Sequence, residues 1–534
     1  MESSSNSSNM GRQRRSGNSS EGVDYISHLP EAIMLYILSL LPIKDLMVVS
    51  LLSRLWKSMV VNHLSIVPSS LNLDEFEAIT SFITETAQRH QCSDFHSLYG
   101  SPEYLTNLIN AARSQYMDYV NRTLMLHTGC TINKLELSFC YDGSDMYTGR
   151  LTRWVHFAFT NKIKSLDFDF SKAEMLGPTD FLEPYELPNR TFSPRMLRKL
   201  TLTYCKLRGI NFGIMWYLKK LSLRQVTILE CSIGQLASKC PVLEDVSLEQ
   251  CVIPNEFMVS EPDIMFKRLS LIDCKTEEWP MFSIQISTPE LLILTVVGKY
   301  LMASSIRNAV QLLNVTIDIE QVYADHVQGD ALGSLLIGLD HCKTLTLTTW
   351  CIQVLPTGED FLEQLPNPLQ DLLHLKLILG LGKQELPGIA CLIRSCPNLE
   401  ILTLTVEESI DVDWAEFQED IPDILDFEEY SYWDLQELPF DCMENSLRQV
   451  KITGFTGKSN EIQMVKFLLE NAEVLEKMEI FLAETGMIPS NRTERYVNGM
   501  WYQDNSHYLL TFPRVAPEAH VAVFKNLGLD MRCH

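Results

Sequence analysis

From Ile132 onward one short unit keeps returning: an apolar residue, two variable residues, a second apolar residue, one variable residue and a third apolar residue. Its fullest copy is Leu197-Arg-Lys-Leu200-Thr-Leu202-Thr-Tyr-Cys205-Lys-Leu207. Ile132, Leu135 and Leu137 form one copy, and Ile163, Leu166 and Phe168 another. Leu218-Leu221-Leu223, Leu243-Val246-Leu248 and Phe266-Leu269-Leu271 follow, and further copies centre on Leu294, Val315, Leu345, Leu375 and Leu402. From Leu200 to Val315 the central residues lie 21, 25, 23, 25 and 21 residues apart. The steps before are 31 and 34, and those after are 30, 30 and 27. Alternation inside the unit is the period of a strand, and a repeat of this length marks a stack of supersecondary units. One unit cannot bury its own apolar face, so each strand must lie beside the next. The expected fold is an α/β solenoid over about residues 130–482, with a parallel sheet on its concave side and loops or helices on its convex side. Glu136, Lys199, Thr201, Lys220 and Ser222, between the apolar positions, should face outward. The longer steps require inserted loops or whole helices.

Two segments show how a strand is approached: Leu236-Ala-Ser-Lys-Cys240-Pro241-Val-Leu243 and Leu392-Ile-Arg-Ser-Cys396-Pro397-Asn-Leu399. Each reads as a helix end stopped by Cys-Pro before the strand starts. Cys140, Cys205, Cys251 and Cys274 share one position, each in a different repeat. A tetrahedral metal shell needs converging ligands, usually from close Cys pairs, so these thiols read as small buried apolar residues without metal or disulfide. From 407 to 437 the repeat breaks into a stretch rich in Asp and Glu, free of Lys and Arg, with Trp414, Phe417, Phe427, Tyr430, Tyr432 and Trp433 interleaved. It reads as a solvated insertion whose aromatics pack back on the solenoid, or as an acidic surface for a basic partner. A strand, a helix (Ile462, Val465, Leu468, Leu469) and a strand then close the stack over 438–482, ahead of a C-terminal segment, 483–534.

Composition narrows the function. A net charge of −24 disfavours nucleic acid and anionic membranes as partners. No apolar run is long enough to span a bilayer, and the N-terminus lacks a signal-peptide core. Fourteen cysteines without that signal suggest reduced thiols, hence cytoplasm and/or nucleus. There is no Gly-rich phosphate loop, no His-Glu-x-x-His and no Gly-x-Ser-x-Gly, so no catalytic residue, metal site or cofactor is expected.

Residues 1–22, rich in Ser, Asn and Gly, have nothing to bury and read as a disordered tail. Between 23 and 61 the spacing predicts three short helices. Pro30 suits a first helical position, and Ile33, Ile37 and Leu41 form an apolar stripe ended by Pro42. Leu46 and Val49 mark the second helix, and Leu52, Leu55, Trp56 and Met59 line the third. So few residues cannot enclose that much apolar surface, which leaves a cap on the following domain or a partner-binding module. Residues 62–130 read as a helical linker, with helix from Leu105 through Leu124 and a surface loop over 86–104.

The pattern Leu29-Pro30, Ile37-Leu38, Leu41-Pro42, Val49-Ser50-Leu-Leu52-Ser53, Trp56 resembles an F-box, with Leu55 where that motif usually carries a basic residue. The repeats resemble the cysteine-containing class of leucine-rich repeats, and 438–482 resembles the FBD domain of plant F-box proteins. The resemblance, to the plant-type F-box/FBD/leucine-rich-repeat family, covers nearly everything after residue 23. It implies a three-helix F-box over 23–61, a leucine-rich-repeat solenoid over 131–406, the acidic-aromatic insertion and an FBD-like cap. It further implies a non-catalytic substrate-recognition subunit of an SCF (Skp-cullin-F-box) ubiquitin ligase. In that role Leu29, Pro30, Ile33, Ile37, Leu38, Leu41, Pro42, Leu46, Val49, Leu52 and Trp56 would bind a Skp-type adaptor, and through it cullin. The solenoid would bind a target protein that the sequence does not name. The alternative is an F-box scaffold or small-molecule co-receptor that does not lead to ubiquitylation, and cations on the concave face would mark the latter.

Overall fold

The computed structural model describes residues 29–39, 41, 45, 49, 52–62, 70–89, 102–127, 131–141, 143, 145–171, 183–188, 194, 196–207, 214–228, 237–254, 256–259, 266–277, 283–299, 304–320, 326–355, 363–407, 427, 431–436, 440–483 and 509–524. The expected tail, 1–22, and most of the acidic stretch lie outside them. The chain divides into two compact units, residues 1–69 and 70–534.

In the larger unit a 15-stranded parallel sheet runs from Ser70–Asp74 to His520–Phe524, its strands in chain order apart from short second strands that pair elsewhere. The central apolar residues stand in one register: Leu135, Leu166, Leu200, Leu221, Val246, Leu269, Leu294, Val315, Leu345, Leu375 and Leu402. The same ladder continues through Val450 and Met478. All are buried, while the residues between them are half-exposed or exposed. Each buried leucine contributes roughly 2 kcal/mol of apolar burial, available only when the neighbouring strand covers it.

The sheet reaches further than the repeats in both directions. Within the expected helical linker, Ser70–Asp74 is a strand that pairs with Thr131–Ser138 and sets Leu71 against Leu135. It is followed by helices Glu75–Arg89 and Pro102–Leu126, so the expected loop over 86–104 is helical at both its described ends. At the other end His520–Phe524 pairs with Lys477–Leu482. The last described strand therefore comes from the C-terminal segment and not from the 438–482 unit. That unit has the expected order: strand Gln449–Phe455, helix Ser459–Asn471 and strand Lys477–Leu482.

A buried ion pair closes the first turn of the stack. Glu75 and Arg113 meet at 2.9 Å, and both are almost fully buried. The Cys140 N–H donates to the second Glu75 oxygen (2.6 Å), and Arg113 donates to the Cys140 carbonyl (2.5 Å) while its guanidinium lies 4.4 Å over the Tyr147 ring. An isolated buried charge would be prohibitive, and here each charge has its hydrogen bonds supplied.

The four cysteines at the shared repeat position are buried free thiols. Burial pushes the Cys205 thiol well up, and Cys251 donates instead to the Leu223 carbonyl at 3.3 Å. The described aromatics of the acidic stretch pack inward. Trp433 is buried and stacks on Phe467 at 4.6 Å, and Arg394 lies 4.6 Å over Phe440.

Candidate partner-binding surfaces

In the smaller unit the described residues begin at Leu29-Pro30. The Pro30 carbonyl accepts from the Ile33 and Met34 N–H groups, which starts helix Glu31–Ser39. The Ser53 hydroxyl accepts from Trp56 N–H at 3.3 Å and caps helix Arg54–Asn62. The core of this unit is Met34, Leu38, Trp56 and Met59, with Leu29, Leu35, Leu41 and Val49 packed against it.

That core divides the residues expected to bind an adaptor. Leu38 and Trp56 point inward, and Leu29, Leu41 and Val49 are half-buried beside them. Pro30, Ile33 (48% exposed), Ile37 (36%) and Leu52 (68%) remain on the surface, joined by Tyr36 (65%) and Leu55 (44%). Pro42 and Leu46 lie outside the described residues. The helix Glu-Ala-Ile-Met-Leu-Tyr-Ile-Leu-Ser is apolar on every side, so spacing alone could not say which stripe turns inward. The Met34–Leu38 stripe does, and the Ile33–Ile37 stripe faces water. In the third helix Trp56 and Met59 are buried, whereas Leu52 precedes the helix and Leu55 lies about 100° round from Trp56. The unit thus leaves large apolar side chains uncovered within itself. Tyr36 was not singled out by pattern, although an aromatic in an apolar helix was the available signal; Leu55 was expected on one face with Trp56 and Met59, and the structure leaves it on the surface instead.

The second surface is the sheet's solvent-facing side in the larger unit. One row of register partners reads Glu136, Asp167, Thr201, Ser222, Ser247, Ser270, Thr295, Thr316, Thr346, Lys376, Thr403 and Lys451. It is acidic at its start and lined by small hydroxyls through its middle, carries Lys376 and Lys451 further on, and continues to Glu479. Several cations on this side are satisfied in place. Lys134 pairs with Glu136, Arg224 with Glu249, Arg268 with Asp245 and Lys477 with Glu479. Lys451 sits 5.2 Å over the Phe481 ring. His374, half-buried and bonded to Thr403 at 2.9 Å, is held down to about 4 by burial, with Lys376 nearby, and so is neutral at physiological pH. Ile272, Val297 and Ile378 stand in the next row. Among the described residues no group of His, Cys, Asp and Glu could hold a metal ion, and no helix is long and apolar enough to cross a membrane.

Comparison with known proteins finds a family match in each unit. The At1g61320/AtMIF1 LRR domain family matches residues 123–498, and the F-box domain family matches residues 26–66. The F-box/LRR-repeat protein At4g14096 of Arabidopsis thaliana is 27% identical over 507 residues, covering 89% of this chain and 92% of its own length. The putative F-box/LRR-repeat protein At5g54820 of the same plant is 23% identical, covering 86% of this chain and 91% of its own. The F-box/FBD/LRR-repeat protein At5g22660, also from Arabidopsis thaliana, is 22% identical, covering 89% and 92%.

Proposed function

The chain belongs to the At1g61320/AtMIF1 LRR-domain family and carries an F-box ahead of its repeats, and from that premise we propose that it is the non-catalytic, substrate-recognising subunit of an SCF-type ubiquitin ligase. The observation that carries this is the apolar surface of the small unit. Ile33, Tyr36, Ile37, Leu52 and Leu55 stay exposed while Met34, Leu38, Trp56 and Met59 already form the unit's own core. Exposed anchors of this size, next to a complete core, fit a helical partner such as a Skp-type adaptor and through it cullin. The hydroxyl-lined face of the sheet then takes a target protein, and the ligation chemistry resides in other subunits. The described cysteines are free thiols, which fits the reducing cytoplasm and/or nucleus. The FBD-like role of 438–482 belongs to the same proposal.

The test is co-purification of the full chain with a recombinant Skp-type adaptor. Ile33→Asp with Ile37→Asp removes two anchors from one helical stripe. A buried anchor is worth about 2 kcal/mol, so the pair should weaken adaptor binding by roughly thirtyfold or more. Circular dichroism should show the repeats intact. A parent chain that fails to bind, or a double variant that binds as well as the parent, overturns the assignment.

A further inference from the structure

In a chain of net charge −24, residues 187–229 contain nine Lys and Arg and no Asp or Glu. The fold gathers part of this stretch at the edge where the strands begin. The Arg198 N–H bonds to the Lys164 carbonyl, and Lys219 and Lys220 N–H both bond to the Arg198 carbonyl, so consecutive repeats present cations side by side. Lys199 and Lys220 are direct register partners. Lys162, Arg198 and Lys220 are exposed and form no ion pair among the described residues; Asp245, the register partner of Lys220, is held by Arg268 at 2.6 Å. Lys219 shares Glu244 with Lys267 (3.5 and 3.3 Å), which leaves that row a net positive charge.

Apolar anchors stand on the same edge. Trp216 and Tyr217, in the turn just before strand Lys220–Arg224, are 60% and 58% exposed. Val242, at the matching place in the next repeat, is 38% exposed. An uncovered Trp-Tyr pair beside cations in excess of their acidic neighbours is a costly surface for a monomer and a common one for recognition, since aromatics supply contact area and cations supply steering. Neighbouring strands lie about 4.8 Å apart, so the four from Lys162–Asp169 to Asp245–Glu249 span about 15 Å, the reach of roughly five extended residues.

We propose that this strand-start edge, with Lys162, Arg198 and Lys220 as its charges and Trp216 and Tyr217 as its anchors, binds an acidic peptide segment of the target protein. The assignment deepens the recognition role proposed above and rests on it. Charge complementarity selects the occupant. A polyanion as dense as RNA is repelled by the rest of the chain, whereas a short acidic peptide carrying an aromatic or aliphatic residue satisfies both the cations and the exposed rings.

The experiment measures fluorescence anisotropy of the full chain with a labelled peptide of about ten residues, mostly Asp and Glu around one Phe and one Leu. The same peptide with Asn and Gln in place of the acids, and a single-stranded oligonucleotide of similar length, serve as comparisons. The acidic peptide should bind at least about tenfold more tightly than either. It should weaken about tenfold as salt rises from about 0.05 to about 0.5 M. Arg198→Glu with Lys220→Glu should abolish binding, and Trp216→Ala should reduce it severalfold, with unchanged thermal unfolding because all three side chains are exposed. Equal binding of the neutral peptide, tighter binding of the oligonucleotide, or no binding of the acidic peptide overturns the proposal. Salt dependence and peptide preference are read on the parent chain and need no variant. Adaptor co-purification is scored separately. If it succeeds and the peptide fails, this edge alone is misassigned. If it fails and the peptide binds, the ligase role falls and a peptide-binding repeat protein remains.

Discussion

The stretch from Lys199 to Arg307 and the stretch from Asn314 to Leu482 build one sheet with two different backs. In the first, the central residues are 21 to 25 apart, and the described return path is mostly short strand, with helix at Ala237 and Ser238 ahead of Cys240. Tyr185–Glu186, Cys205–Leu207 and Thr227–Ile228 form one narrow sheet, and Glu256–Val259, Ser283–Ser287 and Ser305–Arg307 another. In the second, wider spacing admits helices His326–Ile337, Thr349–Val354, Leu386–Arg394 and Ser459–Asn471. A five-residue strand and its turns leave little room for helix in a 21-residue repeat, so extended backbone takes most of the return; helix enters at Ala237 and Ser238, in a 25-residue step.

The turns differ accordingly. Four of the short repeats leave their strand through a residue in the left-handed region: Tyr204, Gln225, Gln250 and Asp273, with φ of 56°, 52°, 52° and 49°; the repeat centred on Leu294 does not, and Leu381 (φ 55°) is left-handed in a long one. Such a residue costs about 1–2 kcal/mol when it is not glycine. Its N–H bonds to the next strand, as Gln225 does to Glu249 at 2.8 Å, so neighbouring repeats hold the strain in place. In two of the long repeats a buried glutamate holds the turn. Glu385 accepts from the Gly380 and Gly382 N–H groups, and Glu461 accepts from Thr456 and Gly457 N–H. The lesson is that repeat length selects how the backbone groups after each strand are satisfied: by the adjacent repeat when short, by a side chain of the returning helix when long.

The contrast breaks most sharply at glycine. A Cβ on Gly388 would stand 1.9 Å from the Ile352 carbonyl oxygen, where two helices of the long repeats touch. Gly388→Ala should therefore cost more than about 3 kcal/mol in chemical denaturation. On Gly298, in the short repeats, a Cβ meets nothing within 4 Å, and Gly298→Ala should change stability by less than about 0.5 kcal/mol. Equal effects would erase the difference in packing.

Glu461→Ala leaves two half-buried N–H groups and the Thr456 hydroxyl without their acceptor and should cost about 2 kcal/mol. Glu249→Ala, which removes only the exposed pair with Arg224, should cost less than about 1 kcal/mol. Burial is the larger influence on Glu461 and raises its carboxyl above the ordinary 4.5, against hydrogen bonds that lower it. A group raised in the folded state contributes stability below its unfolded value and loses it as pH climbs through the raised one. The stability of the parent relative to Glu461→Gln should fall as pH rises from below 4.5, measured by urea unfolding at a series of pH values. A flat difference would show the carboxyl unshifted.

Val226 fills in one short repeat the place of Cys205, Cys251 and Cys274 in others, each directly after the left-handed residue. Cys251→Val should stay within about 1 kcal/mol of the parent, whereas Cys251→Ser, which buries a more polar group, should cost about 1–2 kcal/mol. The reverse order would point to a polar role for the thiol. The smallest effect belongs to Gln225→Gly. Relief of the left-handed strain is partly offset by losing the Gln225–Gln250 side-chain bond (3.0 Å), for a net gain below about 1 kcal/mol. A loss of several kcal/mol would mean the turn is not strained.

The sequence by itself determined the sheet, its register from Leu135 to Leu402, the shared cysteine position and the three-helix pattern at the N-terminus. These are periodic or local features, and a period repeats its message in every copy. Tertiary structure alone decided which stripe of Glu31–Ser39 turns inward, because a helix apolar all round carries no moment to orient it. It also decided the sheet's outermost described strands, since Leu71-Asn-Leu73 is too short a signal and His520–Phe524 joins only after a long excursion. The buried polar contacts were beyond reach for a related reason. Glu75 finds Arg113 38 residues on and Cys140 65 residues on, and no spacing rule links side chains that meet only once the chain has wound past itself.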